Sequence, residues 1–296
     1  MFLQKAFSGN SEILLSCYFY NMKKIIILTV VILYFSNIVY CQYYYSDILL
    51  TQQGNINYLN LKNNKVKKIV IDNNSNEDGI LIKQFFTNSW NTLLTEAQLS
   101  IGITNTSTQY YENNLITKKE EDIKNVNSTI NYYYNNQGKL IQINSKSIDT
   151  AVNKSFEENH LFIYDNKDVL SSMLKIKNNN DTTYIDFLKD EKNNIIEERW
   201  TYKNKLIETY YYFYNNQNLI TDIVKFNLKV NRMLPEFLFE YNFQNKLIQL
   251  TQIPFGSSNY FVWKYYYNDK QLKEKEVGFN KQGEKIGEMT YTYDYN

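Results

Sequence analysis

Alternation of apolar and polar positions dominates the chain and predicts β-strands. Phe237, Phe239 and Tyr241 fall on one face at a period of two, which is the signature of a strand. Turn residues separate such runs, so we expect an all-β fold. It would be an antiparallel meander of tandem β-hairpins, forming an open twisted sheet or a partly closed one, with at most one short helix after an N-terminal leader. The same alternation recurs in Tyr210, Tyr212 and Tyr214, and in Tyr291, Tyr293 and Tyr295.

Two segments interrupt this pattern and suggest how the chain is organised. Segment 85–103 lacks clear alternation and is where we expect the short helix. Segment 118–128 is charged and polar, which favours a loop. The predicted organisation is therefore a leader over 1–41, an N-terminal β segment over 42–125 and a hairpin repeat region over 126–296.

A short unit recurs along the second half of the chain and predicts a particular hairpin turn. An aromatic residue is followed by Asn or Asp, two further residues, Gly or a substitute, and then an aliphatic residue. Asn and Asp favour the first position of a type I turn, and Gly favours the fourth position, where a bulge needs positive φ. Asn and Asp are the next-best residues for that conformation. The predicted turn residues are Asn135, Gly138, Asp165, Asp168, Asn215, Asn218, Asn242, Asn245, Asn280 and Gly283. The turn places four pairs directly across from each other, namely Tyr134–Leu140, Tyr164–Leu170, Tyr214–Ile220 and Tyr241–Leu247.

The first part of the chain has the order of a secretory signal peptide. Two lysines after Met22 precede an eleven-residue apolar run over 25–35 and a more polar stretch. The run is too short to span a bilayer comfortably, which takes about 20 apolar residues. We expect Met22 to be the working start and cleavage to fall between Cys41 and Gln42. The alternatives are an uncleaved anchor and a lipoprotein with a lipidated Cys41.

Composition excludes several classes of protein. The 296 residues include 42 Asn, 28 Tyr and 17 Phe but 9 Gly and 2 Pro, so the chain is neither a disordered tail nor collagen-like. Without residues 1–41 it has 29 basic and 30 acidic residues and no cysteine. A balanced charge gives no electrostatic reason to expect nucleic acid as a partner.

Few residues suggest chemistry. The single histidine, His160, is expected to be an ordinary strand-edge residue rather than a metal ligand with Glu157 or Glu158, because zinc sites take three or four ligands. Glu197–Glu198 and Asp186 could form the carboxylate pair of a glycosidase. We expect no catalytic residue, no metal and no cofactor, with that hydrolase as the alternative.

A set of aromatic residues is the remaining candidate for a binding surface. If the first residue of each repeat faces the core, its neighbours face the other way. Exposed rings on a rigid sheet suit a protein or glycan partner, whereas a second layer would bury them. The four residues are Tyr133, Tyr211, Phe213 and Tyr266.

The repeats resemble those of the YD/RHS family. Tyr132–Leu140 matches the family unit with Asn135 in place of Asp, and Val277–Gly283 is a partial match; the resemblance covers about 131–296. It implies a bacterial surface or secreted β-sheet protein, and the Asn, Tyr, Ile and Lys usage resembles that of exported Bacteroidetes proteins. The expected function is an exported, non-catalytic interaction module that binds a protein or a glycan. The expected location is secreted, periplasmic or at the outer cell surface, with no transmembrane span in the mature chain.

Overall fold

A computed structural model describes residues 42–73, 80–98, 104–178, 180–227, 231–254 and 257–295. These ranges contain a helix followed by 18 β-strands. A π-helical segment, Tyr44–Leu49, continues directly as the α-helix α1, Leu50–Asn63, and we call Tyr44–Asn63 the N-terminal helix. The strands are β1 Lys68–Asn73, β2 Leu81–Phe86, β3 Thr92–Gln98, β4 Thr104–Glu112, β5 Leu115–Ile123, β6 Val126–Tyr134, β7 Leu140–Asp149, β8 Lys154–Tyr164, β9 Leu170–Lys177, β10 Asp181–Lys189, β11 Ile195–Tyr202, β12 Lys205–Tyr214, β13 Ile220–Asn227, β14 Arg232–Tyr241, β15 Leu247–Gln252, β16 Phe261–Tyr267, β17 Lys273–Asn280 and β18 Lys285–Asp294.

The sheet is a meander that closes into a barrel. Each strand pairs antiparallel with the next one along the chain, and β1 pairs antiparallel with both β2 and β18. Ile71 of β1 lies opposite Tyr291 of β18, for example. The expected all-β antiparallel meander is therefore confirmed, but the closure is complete rather than partial. Closure satisfies the backbone groups of β1 and β18, which would otherwise form open edges.

Seven hairpin turns share one hydrogen-bond pattern. In the turn that begins at Asn135, the side-chain Oδ1 accepts bonds from the backbone N–H groups of Gln137 and Lys139, both at 3.0 Å. Gly138, at the fourth position, has a φ of 74°. One side-chain oxygen thus satisfies two backbone donors in each turn. The other six turns begin at Asp165, Asp190, Asn215, Asn242, Asn268 and Asn280, with Asp168, Asn193, Asn218, Asn245, Gln271 and Gly283 at positive φ.

The tyrosine that precedes a turn links its hairpin to the hairpin before it. The Tyr241 hydroxyl donates to the carbonyl oxygen of Ile220, the first residue of β13, at 2.8 Å. Because each acceptor is the first residue of a returning strand, these hydroxyls join successive hairpins at the same level. Equivalent bonds run from Tyr164 to Leu140, Tyr214 to Ile195, Tyr267 to Leu247 and Tyr293 to Lys273.

Inward-facing side chains form the core. The four predicted tyrosine–aliphatic pairs are the observed cross-strand pairs, which confirms their register. The aliphatic partners Leu140, Leu170 and Ile220 are buried in the larger apolar cluster, and Leu247 packs against it. Deeper in the barrel, Tyr210 and Ile223 are fully buried. These repeats therefore supply both the turns and the wall of the core.

The helix expected within 85–103 is not found in its described part, residues 85–98. Residues 81–86 and 92–98 form β2 and β3, joined by a tight turn. The inward positions of β3 are Leu93, Thr95 and Ala97, all buried, while Leu94 points outward. Because small and polar residues take core positions here, the alternation is hidden in the sequence. The observed helix lies instead at Tyr44–Asn63, and it is longer than predicted.

The prediction of a loop over 118–128 is also wrong. β5 and β6 form a hairpin, and the boundary between residues 125 and 126 falls in its turn. Along β5, Lys118 contacts Glu120 at 2.5 Å on the outer face, and Lys119 contacts Glu121 at 2.6 Å in the interior. Residues two apart share a strand face, so both charge pairs fit an extended strand.

Candidate functional site

Six of the seven repeated turns lie at one end of the barrel. They join an even-numbered strand to the following odd-numbered strand, so an antiparallel meander places them at the same rim. We call this end the turn mouth; it comprises turns 135–139, 165–169, 190–194, 215–219, 242–246 and 268–272. The turn that begins at Asn280 joins β17 to β18 and therefore lies at the opposite end.

The second half of the N-terminal helix lies at the turn mouth. The Tyr58 hydroxyl donates to the Trp90 carbonyl oxygen at 2.5 Å, and the Asn60 amide donates to the Gln271 carbonyl oxygen at 3.2 Å. Asn55 reaches inward, where its side-chain oxygen accepts the Ile116 N–H at 2.9 Å. Trp90 and Gln271 belong to the β2–β3 and β16–β17 turns, which only β18 and β1 separate around the closed sheet, so this half of the helix lies against one side of the rim.

The first half of the helix begins inside the barrel, where Glu198 of β11 holds it. Glu198 is fully buried, and Oε1 accepts the Tyr43 N–H at 2.8 Å and the Trp200 indole N–H at 2.6 Å. Oε2 accepts the Tyr44 N–H at 3.0 Å and the Tyr212 hydroxyl at 2.5 Å. Burial raises the pKa of Glu198, while these four donors oppose that effect. A carboxylate at this position also complements the positive end of the helix dipole.

His160 of β8 makes a second connection between the wall and the helix. Its Nδ1 lies 2.5 Å from Asp47 Oδ2 on the helix, and its Nε2 lies 2.7 Å from Glu158 Oε1. Burial alone would lower the pKa of His160, but the two carboxylates outweigh it and raise that pKa to about 9. His160 is therefore an imidazolium near neutral pH, and both of its ring nitrogens donate.

The remaining charges near the helix start are also paired. Burial acts to raise the pKa of Glu158, but His160, Lys175 and Lys177 outweigh it and lower that pKa to about 2. The Lys175 and Lys177 ammonium groups lie 3.3 and 3.5 Å from Glu158. Lys175 also contacts the Tyr43 hydroxyl. These groups connect the start of the helix to the barrel wall through paired charges.

Three apolar side chains of the helix are exposed at the turn mouth, beside the exposed polar residues Gln52, Gln53 and Asn57. Leu50, Ile56 and Leu59 are 45%, 59% and 37% exposed. On the rim, Phe243 sits in the β14–β15 turn and is 93% exposed. Exposed apolar groups at the end of a barrel are candidates for contact with a partner. We call Leu50, Ile56, Leu59 and Phe243 the apolar mouth residues.

A groove runs beside Phe243 on the same rim. It has a volume of about 450 Å³ and lies between the β12–β13 and β14–β15 turns. Its walls include Gln217, Thr221, Glu240, Asn245 and the Phe243 ring. The groove is open to solvent, and its lining combines an aromatic ring with amide and carboxylate groups.

The predicted aromatic candidates lie on the outer wall of the barrel, and Tyr133, Phe213 and Tyr266 each stand two residues before a turn of the turn mouth. Tyr133, Phe213 and Tyr266 are 47%, 48% and 44% exposed, and Tyr211 is partly buried. Tyr211 and Phe213 share β12, but Tyr133 lies on β6 and Tyr266 on β16. The four residues therefore do not form one continuous row.

The candidate glycosidase carboxylates do not converge. Glu198 faces the interior, where its oxygens each accept two bonds, whereas Glu197 faces outward and binds Arg199 at 2.8 Å. Asp186 lies opposite Arg199 on the same outer face. His160 is not at a sheet edge, because β7 and β9 flank β8 on both sides. Glu157 lies on the other face of β8 from His160 and contacts Asn144.

Sequence reasoning missed most of this arrangement. The sequence pattern did not point to Tyr43, Asp47 or the apolar mouth residues. It offered Glu198 only as part of a possible glycosidase carboxylate pair. The available signal was Asp47 next to an Ile-Leu-Leu run, which is too common to indicate a contact with His160. Within the described ranges, His, Cys, Asp and Glu form no group of three or more arranged to hold a metal. None of the described helices is long and apolar enough to cross a membrane.

Comparisons with known proteins find distant structural similarity. No family model matches the chain, and no curated protein matches it. Among solved structures, the chain is similar to a porin-like protein from Bacteroides uniformis, with a TM-score of 0.38 and 10% identity over 77% of this chain and 98% of that one. It is also similar to the TcdB2-TccC3-TEV structure, with a TM-score of 0.28 and 11% identity over 67% of this chain and 15% of that one.

Proposed function

We propose that this chain is an exported, non-catalytic binding module of the YD/RHS-like kind, which recognises its partner with the turn mouth. The observation that carries the proposal is the set of exposed apolar groups on the helix and in the β14–β15 turn at that end. Ile56 and Phe243 are 59% and 93% exposed, and the amide-lined groove lies beside Phe243. Burying such groups against a partner would provide about 25 cal/mol per Å² of apolar surface removed from water.

Closure of the sheet supports recognition at an end rather than at an edge. β1 and β18 pair with each other, so the described strands leave no open edge to which a partner strand could add. This differs from the edge binding that a partly closed sheet would allow. Export is supported by the signal-like sequence after Met22, and the YD/RHS assignment by the repeated turns and their tyrosines.

The partner that fits the apolar mouth residues is a protein with an apolar patch. A glycan would be held chiefly in the groove, through amide groups and the Phe243 ring. The two partners therefore depend on different residues. The non-catalytic assignment is supported by the pairing of Glu158, Glu198 and Asp47 with the helix and the wall, which commits these carboxylates to structure.

The experiment measures binding to displayed extracellular proteins and to a glycan array with the exported protein and its variants. We expect a Leu50→Ser, Ile56→Ser, Leu59→Ser triple variant to reduce protein binding at least about tenfold, because interface anchors dominate affinity. The control is Phe156→Ala, since Phe156 is 55% exposed but lies on β8 at the opposite end. Unchanged binding by the triple variant would contradict the proposal.

The same measurement shows whether the partner is a protein or a glycan. It also shows whether the partner binds the outer wall instead of the turn mouth. Loss of glycan binding in Phe243→Ala, with protein binding absent throughout, would assign the groove as the site. Loss of binding in Phe213→Ala or Tyr266→Ala alone would place recognition on the outer wall and overturn the role of the turn mouth.

A further inference from the structure

Gln42 lies fully enclosed where the described chain enters the barrel interior. Its exposed fraction is 0%, and its carbonyl oxygen accepts the Ser46 N–H at 3.0 Å, which opens the N-terminal helix. The next two N–H groups, of Tyr43 and Tyr44, bind Glu198. The Tyr43 ring stacks on Trp200, with centroids 4.6 Å apart. Gln42 therefore sits at the start of a helix that aromatic rings and a buried carboxylate hold in place.

The charges around this position are already balanced. The carboxylates are Asp47, Glu158 and Glu198, and the cations are His160, Lys175 and Lys177. Each of the two carboxylate oxygens of Glu198 accepts two hydrogen bonds. If Gln42 became an amino terminus, a free α-ammonium would add a fourth cation in a position withdrawn from water. Burying a charge without its own counter-ion is strongly unfavourable.

We propose that cleavage between Cys41 and Gln42 is followed by cyclisation of the new amino-terminal Gln42 to pyroglutamate, and that this neutral end is enclosed in the barrel. The α-amino nitrogen attacks Cδ of the side-chain amide, so an N–Cδ bond forms and the Cδ–Nε2 bond breaks. The amine proton passes to the departing nitrogen, which leaves as ammonia. No oxidation or reduction takes place.

The product fits the contacts at the helix start. The ring retains the Gln42 carbonyl group that accepts the Ser46 N–H, and it removes the positive charge. Cyclisation must precede enclosure, because an enclosed Gln42 is inaccessible to water and to enzymes. The inference rests on the export included in the proposed function, and its test keeps the two separable.

The experiment expresses the full chain in an exporting bacterial host and measures the intact mass and the amino-terminal peptide of the exported protein. We expect a chain that starts at Gln42 and is lighter by one ammonia than the uncyclised form. An exported chain with a free Gln42 overturns cyclisation but leaves export standing. A chain that keeps its leader and stays in the cell overturns both, and an exported chain with a different start overturns this inference alone.

A stability comparison tests the enclosure of a neutral end. Asn does not close the equivalent ring, so Gln42→Asn leaves a free α-ammonium after the same cleavage. We expect this variant to melt lower than the parent, whereas Gln53→Asn on the exposed helix surface should melt close to it. Equal melting temperatures for Gln42→Asn and the parent, with a free amine verified by mass, would overturn the proposed burial of a neutral end.

Discussion

The charged contact between His160 and the N-terminal helix should make the folded protein less stable as the pH becomes alkaline. The pKa of His160 rises from 6.5 to about 9 in the folded protein. At about 1.4 kcal/mol per pKa unit, this shift corresponds to about 3 kcal/mol of stability. Because the pKa is higher in the folded state, that contribution is fully present below about 6.5 and is lost as the pH rises through about 9.

The assay is chemical denaturation between about pH 6 and pH 10, together with an NMR titration of the imidazole. His160 is the single histidine of the chain, so its resonances need no assignment by mutagenesis. Asp47→Asn removes the closest carboxylate, so we expect a lower His160 pKa and a smaller loss of stability across the same range. The control is Asp186→Asn, which changes an exposed carboxylate on the outer face.

Two results would refute this reasoning. A His160 titration midpoint near 6.5 in the native protein would mean that Asp47 and Glu158 do not hold the charged form. An equal pH dependence in the parent and in Asp47→Asn would mean that other groups cause the alkaline loss. Lysines and tyrosines also titrate above about pH 9, so the difference between the two proteins at each pH is the informative quantity.

Further substitutions test the packing and the hairpin links by thermal or chemical denaturation. Gly278→Ala should destabilise by about 1–3 kcal/mol, because a Cβ would lie 2.6 Å from Cζ3 of the Trp263 ring. Gly54→Ala should instead stabilise by about 0.5–1 kcal/mol, since nothing lies within 4 Å of its Cβ in the helix. Tyr241→Phe should cost about 1 kcal/mol by removing the bond to the preceding hairpin, and the outward Tyr266→Phe should cost little. Equal effects within either pair would contradict the assigned contacts.

The hairpins could be predicted because their chemistry is local. Asn135 bonds with residues two and four positions away, so the turn can be read from five consecutive residues. The tyrosine hydroxyl link was not foreseen, because it joins residues such as Tyr241 and Ile220 in different hairpins. The turn at Asp190 was also missed, since Lys189 stands where other copies have an aromatic residue.

The N-terminal helix could not be predicted because its stabilising contacts are remote in sequence. Glu198 lies 155 residues from Tyr43, and His160 lies 113 residues from Asp47. The helix also lacks a regular apolar stripe: Asn55 is buried, while Ile56 is exposed. Periodicity detects a helix with one regular apolar face, whereas this helix buries Asn55 together with Ile48 and Tyr58 and exposes both apolar and polar residues.

The polar interior and the apolar mouth are two consequences of one orientation of the helix. Apolar contacts within a wide barrel would accept several rotations of the helix, because they have no direction. The bonds from Glu198 and His160 are directional and favour a single depth and rotation. Since Asn55 and Tyr58 then face inward, Gln53 and Asn57 lie on the opposite helix surface, and Leu50, Ile56 and Leu59 remain exposed on the flanks at the turn mouth. We infer that the buried charges, besides stabilising the folded state, set the orientation in which Leu50, Ile56 and Leu59 are exposed, because their directional bonds oppose alternative rotations of the helix.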